Sequence, residues 1–403
     1  MGEKLLMKGN EVIAEAALRA GCRHYFGYPI TPQTEVAHYM AKKMEELGGA
    51  FVQAESEVAA INMVYGAASA GKRVMTSSSS PGISLKQEGI SYSACAELPM
   101  VIVDIVRCGP GLGGILPAQC DYFQIVKGGG HGDYHLIVFA PSSVQELYEL
   151  VVHAFNVSDR YRNPAVILGD GYLGQMMEAV EFRDQEPIER IEKPWATVGT
   201  GMKREHNVIT SIYIEADVLE AHNNKLQEKY RRIEQNETML EEYNCEGADV
   251  IVAAYGTVAR VVKNVIKDAA KEGIRVGLIR PITLWPFPAK SFEKYAETPK
   301  GFLTVEMSAG QMVEDVRLAV NGKNTVDFYG RTGGNVGLFV CGECADRNLP
   351  ELGDLPDGAP DAPIGEIGVL NGGLLKSKGS LIDVTTQDAG TQGPVSYTHL
   401  RAH

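Results

Sequence analysis

Short apolar runs and helix-spaced runs follow one another along the first 170 residues. Asn10 to Ala20 has helical spacing, with Asn10 as a plausible N-cap and Gly21 as a stop. His24 to Gly27 reads as a short strand. Thr31 followed by Pro32 reads as an N-cap with Pro at the first helical position, opening a helix to Leu47. Ala50 to Ala54 and Arg73 to Ser77 read as strands, and Leu85 to Ala96 as a helix. Pro99 to Arg107 is the continuous apolar run of a strand covered on both faces, as in parallel sheets. Leu136 to Ala140 is another strand, the capping box Ser143-x-x-Glu146 opens a helix to about Asp159, and Ala165 to Gly169 closes the series. Such alternation predicts a doubly wound α/β domain.

Residues 183–202 read as a loop, and Val218 to Tyr243 as a charged, solvated linker helix. A second α/β unit starts at Ala248, with strands at 249–255, 276–279 and 301–306 and helices at 256–272 and 312–320. After Gly334 periodicity disappears among Gly, Asp and Pro, which is long for structureless chain in a compact domain. Val395 to His403 resembles a translated sequencing adapter, so 335–403 is expected to be a disordered or artefactual tail. The expected division is 1–200, a loop and linker helix at 201–246, a second domain at 247–334, and the tail.

One run stands apart. Phe51-Val-Gln-Ala-Glu-Ser-Glu57 leads from a strand into a helix that is apolar or small all round to Gly71, the pattern of a buried helix. Carboxylates suit its first turn. A carboxylate pressed against a buried body costs several kcal/mol unless paired or protonated. A protein that must exchange a proton in a dry site needs that arrangement. Glu55 and Glu57 as ordinary helix-start residues is the competing reading.

Composition narrows the classes. The 403 residues carry 51 acidic and 38 basic side chains, a formal net charge of -13, which disfavours a general nucleic-acid surface. No apolar run approaches the roughly 20 residues of a membrane span, and the start is not signal-like. Seven scattered cysteines fit reduced thiols and a cytoplasmic location.

Four motifs are weak. Gly109-Pro-Gly-Leu-Gly-Gly114 fits a dinucleotide loop, but Pro110 removes a donor and no helix follows. Gly169-Asp170-Gly171 starts a magnesium-diphosphate motif whose later paired asparagines are absent, so a turn is the better reading. His131-Gly-Asp-Tyr-His135 reads as a loop rather than a metal site, and Cys341-Gly-Glu-Cys344 is a lone pair. No metal site is expected. Thr31, Glu57 and Arg107 all follow strands, and with Thr76 to Ser80 they should converge on one rim outside the carboxyl ends of a parallel sheet. A purely structural Arg–Glu pair would account for two of the three.

Gly27-Tyr-Pro-Ile-Thr-Pro32, Gln53-Ala-Glu-Ser-Glu-Val-Ala-Ala60, Thr76-Ser-Ser-Ser-Ser-Pro-Gly82 and Arg280-Pro-Ile-Thr-Leu-Trp-Pro-Phe-Pro288 resemble the 2-oxoacid:ferredoxin oxidoreductases. The likeness is to their alpha-type subunit, and most to the 3-methyl-2-oxobutanoate (2-oxoisovalerate) branch. It runs without a gap to about residue 334.

The resemblance implies a thiamine-pyrimidine-binding domain followed by a transketolase C-terminal-like domain, in a complex that oxidatively decarboxylates a branched-chain 2-oxoacid to its acyl-CoA and CO2 and reduces ferredoxin. Thiamine diphosphate would be shared with a beta subunit that holds the diphosphate and Mg2+. Gamma and ferredoxin-like subunits would complete the complex, with iron–sulfur clusters only on partners. Glu57 matches the glutamate at the aminopyrimidine, and Glu55 is the runner-up. Tyr28, Pro29, Ile30 and Ser80 fall at cofactor positions, and Thr31 and Arg107 at or beside the substrate carboxylate. Alternatives are the same chemistry on 2-oxoglutarate or pyruvate, or a non-catalytic α/β binding module.

Overall fold

The computed structural model describes residues 4–182, 189–334, 367–369 and 373–375. The chain begins with β1 (Lys4–Lys8) and α1 (Gly9–Arg19). β2 (His24–Gly27), α2 (Thr34–Glu46), β3 (Ala50–Gln53), α3 (Glu57–Ser69), β4 (Val74–Ser78), α4 (Ser80–Cys95) and β5 (Met100–Val106) then alternate. α5 (Tyr122–Val126), β6 (Ile137–Phe139), α6 (Val144–Tyr161), β7 (Pro164–Asp170), α7 (Gly171–Gln175) and β8 (Met177–Glu181) follow. After α8 (Ala216–Asn236) come β9 (Leu240–Tyr243), β10 (Val250–Ala253), α9 (Gly256–Lys271), β11 (Val276–Pro281) and β12 (Thr283–Trp285). α10 (Ala289–Tyr295), β13 (Gly301–Glu306), α11 (Met312–Val320) and β14 (Val326–Gly330) complete the second unit.

Two sheets organise these elements. The larger has the order β12-β6-β7-β5-β4-β2-β3, parallel except for β12. Every residue of β5 and β7 is buried, as their largely apolar runs require of strands with helices on both faces. The smaller sheet runs β14-β13-β10-β11-β9, with only β9 antiparallel.

Several expectations change. Ala165 to Gly169 does not supply the last strand of the first sheet, because β12 crosses from the second unit to pair with β6. Arg280 reinforces that crossing: its fork donates to both Glu146 oxygens at 3.0 and 2.8 Å, and its Nε to Glu241 at 2.8 Å. Asn10 is not an N-cap; it lies inside α1, buried, and donates to the Pro32 carbonyl at 2.7 Å and to Glu35 at 2.9 Å. α4 starts at Ser80 rather than Leu85, since Ser79 is extended and Pro81 is tolerated in a first turn.

The charged segment is helical to Asn236, but it is not solvated all round. Leu226, Lys229, Tyr230 and Ile233 form a buried stripe, with Tyr230 edge-on to Trp285 and His135. β1 and β8, an antiparallel pair, were not legible as strands. In the segment expected to be structureless, β15 (Ile367–Val369) and β16 (Gly373–Leu375) pair antiparallel. The rest of that segment, with Cys341 and Cys344, and residues 183–188 of the expected loop lie outside the described residues. Among the described residues no helix is long and apolar enough to cross a membrane.

Candidate active site

β2 pairs with β3 on one side and β4 on the other, so the direction of winding reverses at β2. A crevice outside the carboxyl ends of the strands belongs at such a reversal. The segments that follow β2, β3, β4 and β5 there carry Tyr28 to Thr31, Glu55 to Glu57, Ser79 and Ser80, and Arg107.

Ser56 is the N-cap of α3, its hydroxyl accepting from the Ala59 amide at 3.1 Å. That cap separates the two glutamates. Glu55 is exposed, whereas Glu57 is the first helical residue and only 7% exposed. The Glu57 carboxylate accepts no hydrogen bond from the described residues. It lies over α4 where that helix has no side chain: a Cβ on Gly82 would stand 2.8 Å from Glu57 Oε1 and 2.2 Å from Ser78 Oγ. A nearly buried carboxylate with free acceptor positions, on the positive end of a helix, is suited to a donor arriving from outside the chain.

The expected burial of α3 is only half correct. Its inner face packs against α4, β2 and β4, while Val58 (45% exposed), Asn62 and Gly66 face outward. Leu85 on α4 and Leu112, Ile115 and Leu116 in the loop after β5 are exposed beside the same rim, Leu112 by 80%. Helix α3 is apolar all round, but this chain covers one side of it.

Arg107 is buried and spans the rim. Its Nη1 donates to the Thr31 carbonyl and its Nη2 to the Leu112 carbonyl, both at 3.0 Å, and Nε has no partner. Ser80 clamps its backbone, accepting from the Arg107 amide at 3.0 Å and donating to its carbonyl at 3.2 Å. Arg107 thus forms no salt bridge with Glu57 among the described residues, and the structural-pair reading has no contact behind it. The loop beyond Arg107 is a tight return, with Arg107 bridging Pro117. Gly113 has φ +57°, and a Cβ there would strike the Cys108 carbonyl.

Thr31 does not begin a helix. The Ile30 carbonyl accepts from the Gln33 amide at 3.1 Å, a turn over Thr31 and Pro32, and α2 starts at Thr34. Gln33 sets that turn: it is buried, accepts from Ser77 Oγ at 2.5 Å, and Ser77 in turn meets the Tyr25 hydroxyl at 2.7 Å. Tyr28 and Ile30 are half-buried and Pro29 is exposed on the same turn.

Beneath the rim lies a polar floor that the sequence reading missed. Lys86 of α4 is fully buried and donates to Thr76 Oγ1 at 2.7 Å and the Ser77 carbonyl at 3.1 Å. Burial pushes its ammonium down to about 7, with Glu57 and Asp104 opposing. Asp104 of β5 is buried beside the Asp121 carboxyl, and burial together with Asp121 holds it well above the carboxylate range. Asp121 is also raised by burial, but Ser80, the Asp104 carboxyl itself, Cys120 and Arg107 favour its charge. The proton of this carboxyl pair therefore belongs on Asp104. Ser78 and Ser79 hydroxyls are buried there without partners. Two signals were readable: Asp104 interrupts an otherwise apolar strand, and Lys86 falls on the stripe of Gly82, Ile83 and Ile90.

The weak motifs have structural roles. Asp170 caps α7, accepting from the Tyr172 and Leu173 amides at 2.9 and 3.1 Å. His135 stacks on Trp285, and His131 is exposed in a loop. Among the described residues no group of three or more His, Cys, Asp or Glu is placed to hold a metal ion.

Residues 15–242 match the family model for pyruvate flavodoxin/ferredoxin oxidoreductase, thiamine diphosphate-binding, and residues 248–337 the pyruvate:ferredoxin oxidoreductase core domain II. Ketoisovalerate oxidoreductase subunit VorB of Methanothermobacter thermautotrophicus is 53% identical, over 82% of this chain and 94% of its own. 2-Oxoglutarate synthase subunit KorA of Archaeoglobus fulgidus is 37% identical, over 78% of this chain and 91% of its own. Among solved structures, the 2-oxoglutarate:ferredoxin oxidoreductase from Magnetococcus marinus with 2-oxoglutarate, coenzyme A and succinyl-CoA bound superposes with TM-score 0.70 at 26% identity. It covers 83% of this chain, which spans 63% of that longer one. A split-gene transketolase at 13% identity and TM-score 0.51, covering 82% of this chain and 91% of its own, shares the fold alone.

Proposed function

The chain belongs to the thiamine-dependent 2-oxoacid:ferredoxin oxidoreductases, and from that premise we propose that it is the alpha-type, pyrimidine-binding subunit of a cytoplasmic complex that converts 3-methyl-2-oxobutanoate and coenzyme A to the branched acyl-CoA and CO2 while reducing ferredoxin. The units 1–200 and 247–334, joined through 201–246, are the pyrimidine-binding and transketolase C-terminal-like domains of that reading. The observation that carries it is Glu57: a carboxylate almost removed from water, at a helix start, with no hydrogen bond from its own chain.

The residues present fit thiamine diphosphate. The unpartnered Glu57 carboxylate suits an aminopyrimidine ring, and the turn Tyr28 to Ile30 with Ser80 frames the crevice around it. When bound, the cofactor supplies the nucleophilic carbon that attacks the 2-oxo group and the sink for the electron pair released with CO2. Glu57 would exchange a proton with the pyrimidine nitrogen of the bound cofactor, and the α3–α4 packing under it would keep that exchange away from water. Arg107 holds its guanidinium at the rim, fixed by the Thr31 and Leu112 carbonyls, and its charge is the candidate attraction for the substrate carboxylate. Thr31, an exposed residue, sits next to it. Ser80 keeps Arg107 in register through both backbone bonds.

The diphosphate and Mg2+ belong to a beta subunit in this reading, because Asp170 is already committed to capping α7. The exposed apolar side chains around the rim, Val58, Leu85, Leu112, Ile115 and Leu116, give that partner a surface to cover. Gamma and ferredoxin-like subunits carry the iron–sulfur clusters. The branched-chain substrate follows the higher identity to the ketoisovalerate relative, 53% against 37% for the 2-oxoglutarate relative. Co-expression with the partner subunits, followed by viologen-linked assay with each acid, tests it. Preference for 3-methyl-2-oxobutanoate is expected, and equal or better kcat/KM with 2-oxoglutarate or pyruvate would overturn the substrate assignment.

A further inference from the structure

Ser77 joins two parts of the rim. It lies fully buried near the end of β4, and its hydroxyl donates to Gln33 Oε1 at 2.5 Å. That bond spends its only proton, so the Tyr25 hydroxyl, 2.7 Å away, donates to Ser77. Tyr25 and Gln33 are buried as fully as Ser77. The chain of donors therefore runs in one direction, from Tyr25 through Ser77 to Gln33. Gly27 leaves room for it, since a Cβ there would stand 2.6 Å from the Tyr25 hydroxyl oxygen. On its backbone side, the Ser77 carbonyl accepts from Lys86 of α4 at 3.1 Å, which ties the same residue to the second helix of the rim.

Gln33 passes this constraint to the turn that follows β2. Its amide donates to the Ile30 carbonyl at 3.1 Å and its Nε2 to the Tyr28 carbonyl at 3.5 Å. The next two carbonyls are held as well. That of Thr31 accepts from Arg107 at 3.0 Å, and that of Pro32 from Asn10 at 2.7 Å and Gln175 at 3.2 Å. The Thr31 carbonyl can hold the guanidinium only where the turn places it. Buried hydroxyl and amide groups are costly unless each is paired. A methionine in place of Gln33 would fill similar space with nothing to pair, so the polar chain contributes geometry more than packing.

We propose that Gln33 is a positioning residue for the 2-oxoacid: anchored by Ser77, it fixes the turn whose Thr31 carbonyl holds the Arg107 guanidinium at the rim. The proposal rests on the reading of Arg107 as the attraction for the substrate carboxylate. Its effect belongs to substrate binding and not to the proton exchange at Glu57.

The test uses the co-expressed complex carrying Gln33→Met, Ser77→Ala or Tyr25→Phe, with the 2-oxoacid varied. Gln33→Met and Ser77→Ala remove the same hydrogen bond. Each should raise KM for the 2-oxoacid about fivefold, the scale of one neutral hydrogen bond, with kcat within about twofold of wild type. The double variant should raise KM no further than the larger single effect, because one bond is lost only once. Tyr25→Phe leaves that bond in place and should stay near the wild-type KM. A variant that merely folds less well loses active enzyme, so kcat falls at unchanged KM; that result would overturn the proposal, as would a double variant whose effects add.

A second measurement does not use turnover. Hydrogen exchange of the Gln33 amide, which closes the turn on Ile30, should quicken about fivefold in Ser77→Ala and stay near wild type in Tyr25→Phe. Unchanged exchange in Ser77→Ala would overturn the proposal equally. Arg107→Lys separates the two levels of reading. If it leaves KM at the wild-type value, the assignment of Arg107 falls and this inference falls with it. If it raises KM while Gln33→Met and Ser77→Ala do not, only the role of Gln33 is lost.

Discussion

Gly82 and Glu57 meet so closely that any side chain on the first would displace the second: a Cβ on Gly82 would lie 2.8 Å from Glu57 Oε1 and 2.2 Å from Ser78 Oγ. Both atoms end flexible side chains, so the chain can yield without unfolding. Gly82→Ala should therefore cost little melting temperature and much activity. We expect a Tm within a few degrees of wild type, and turnover of the complex reduced roughly tenfold or more, as a misplaced catalytic group implies. Thermal denaturation and the viologen-linked assay separate the two effects.

Arg107 contributes a rigid fork, of which two prongs are already fixed by the carbonyls of Thr31 and Leu112. Arg107→Lys keeps the charge and loses that geometry. The KM for the 2-oxoacid should rise by roughly 10- to 100-fold, corresponding to loss of one charge-assisted hydrogen bond of about 1.5–3 kcal/mol. Thr31→Val leaves the carbonyl contact intact, so it should spare the Arg107 position and report only on the hydroxyl. Steady-state kinetics with varied 2-oxoacid distinguishes the two.

Lys86 gives stability a definite pH dependence. Its folded value near 7 lies below the ordinary 10.5, so between those pH values the unfolded chain binds a proton here that the folded chain lacks. The stability tied to Lys86 is thus present above about 10.5 and lost as pH falls through about 7. Lys86→Met should melt higher than wild type at neutral pH, and the gain should shrink as the pH is raised toward about 10. Melting curves of both proteins across that range check the sign.

Arg280 ties β11 to α6 and β9 through Glu146 and Glu241. Removing it leaves two partly buried carboxylates without their cation. Arg280→Met should lower stability by about 2 kcal/mol, less than a wholly buried pair because both glutamates retain some exposure. Denaturant titration of the chain measures it.

The apolar rim predicts a separable assembly defect. Leu112 and Val58 are exposed in this chain, so Leu112→Asp or Val58→Asp should leave its Tm within a few degrees of wild type. Either should weaken co-purification with the beta subunit, read by size-exclusion chromatography. Unchanged assembly would move the partner surface elsewhere.

Much of the fold was legible because its signals are local. The doubly buried strands β5 and β7 declare themselves by long apolar runs, and Ser143 and Gly21 mark helix ends by their chemistry. What was not legible depends on distant pairing. β12 is too short to stand out and becomes a strand only by pairing with β6, more than 140 residues earlier. Asn10 looked like a cap, but its partners are Pro32 and Glu35 on another element. At the site, the chain positions of Glu57, Arg107 and Thr31 were readable, while the turn that removes Thr31 from a helix start depends on Gln33 and Ser77. Lys86 and Asp104 were visible as charges in apolar patterns, yet only the three-dimensional arrangement buries Lys86 on Thr76 and the Ser77 carbonyl and sets Asp104 beside Asp121.

The central claim is that Glu57, rather than its exposed neighbour Glu55, handles the proton of the cofactor. The most direct measurement is the turnover of the co-expressed complex carrying Glu57→Gln beside the same complex carrying Glu55→Gln. Glu57→Gln should lower kcat by at least about 100-fold, the scale of lost general acid–base catalysis, with Glu55→Gln near wild type. Full activity of Glu57→Gln would contradict the account.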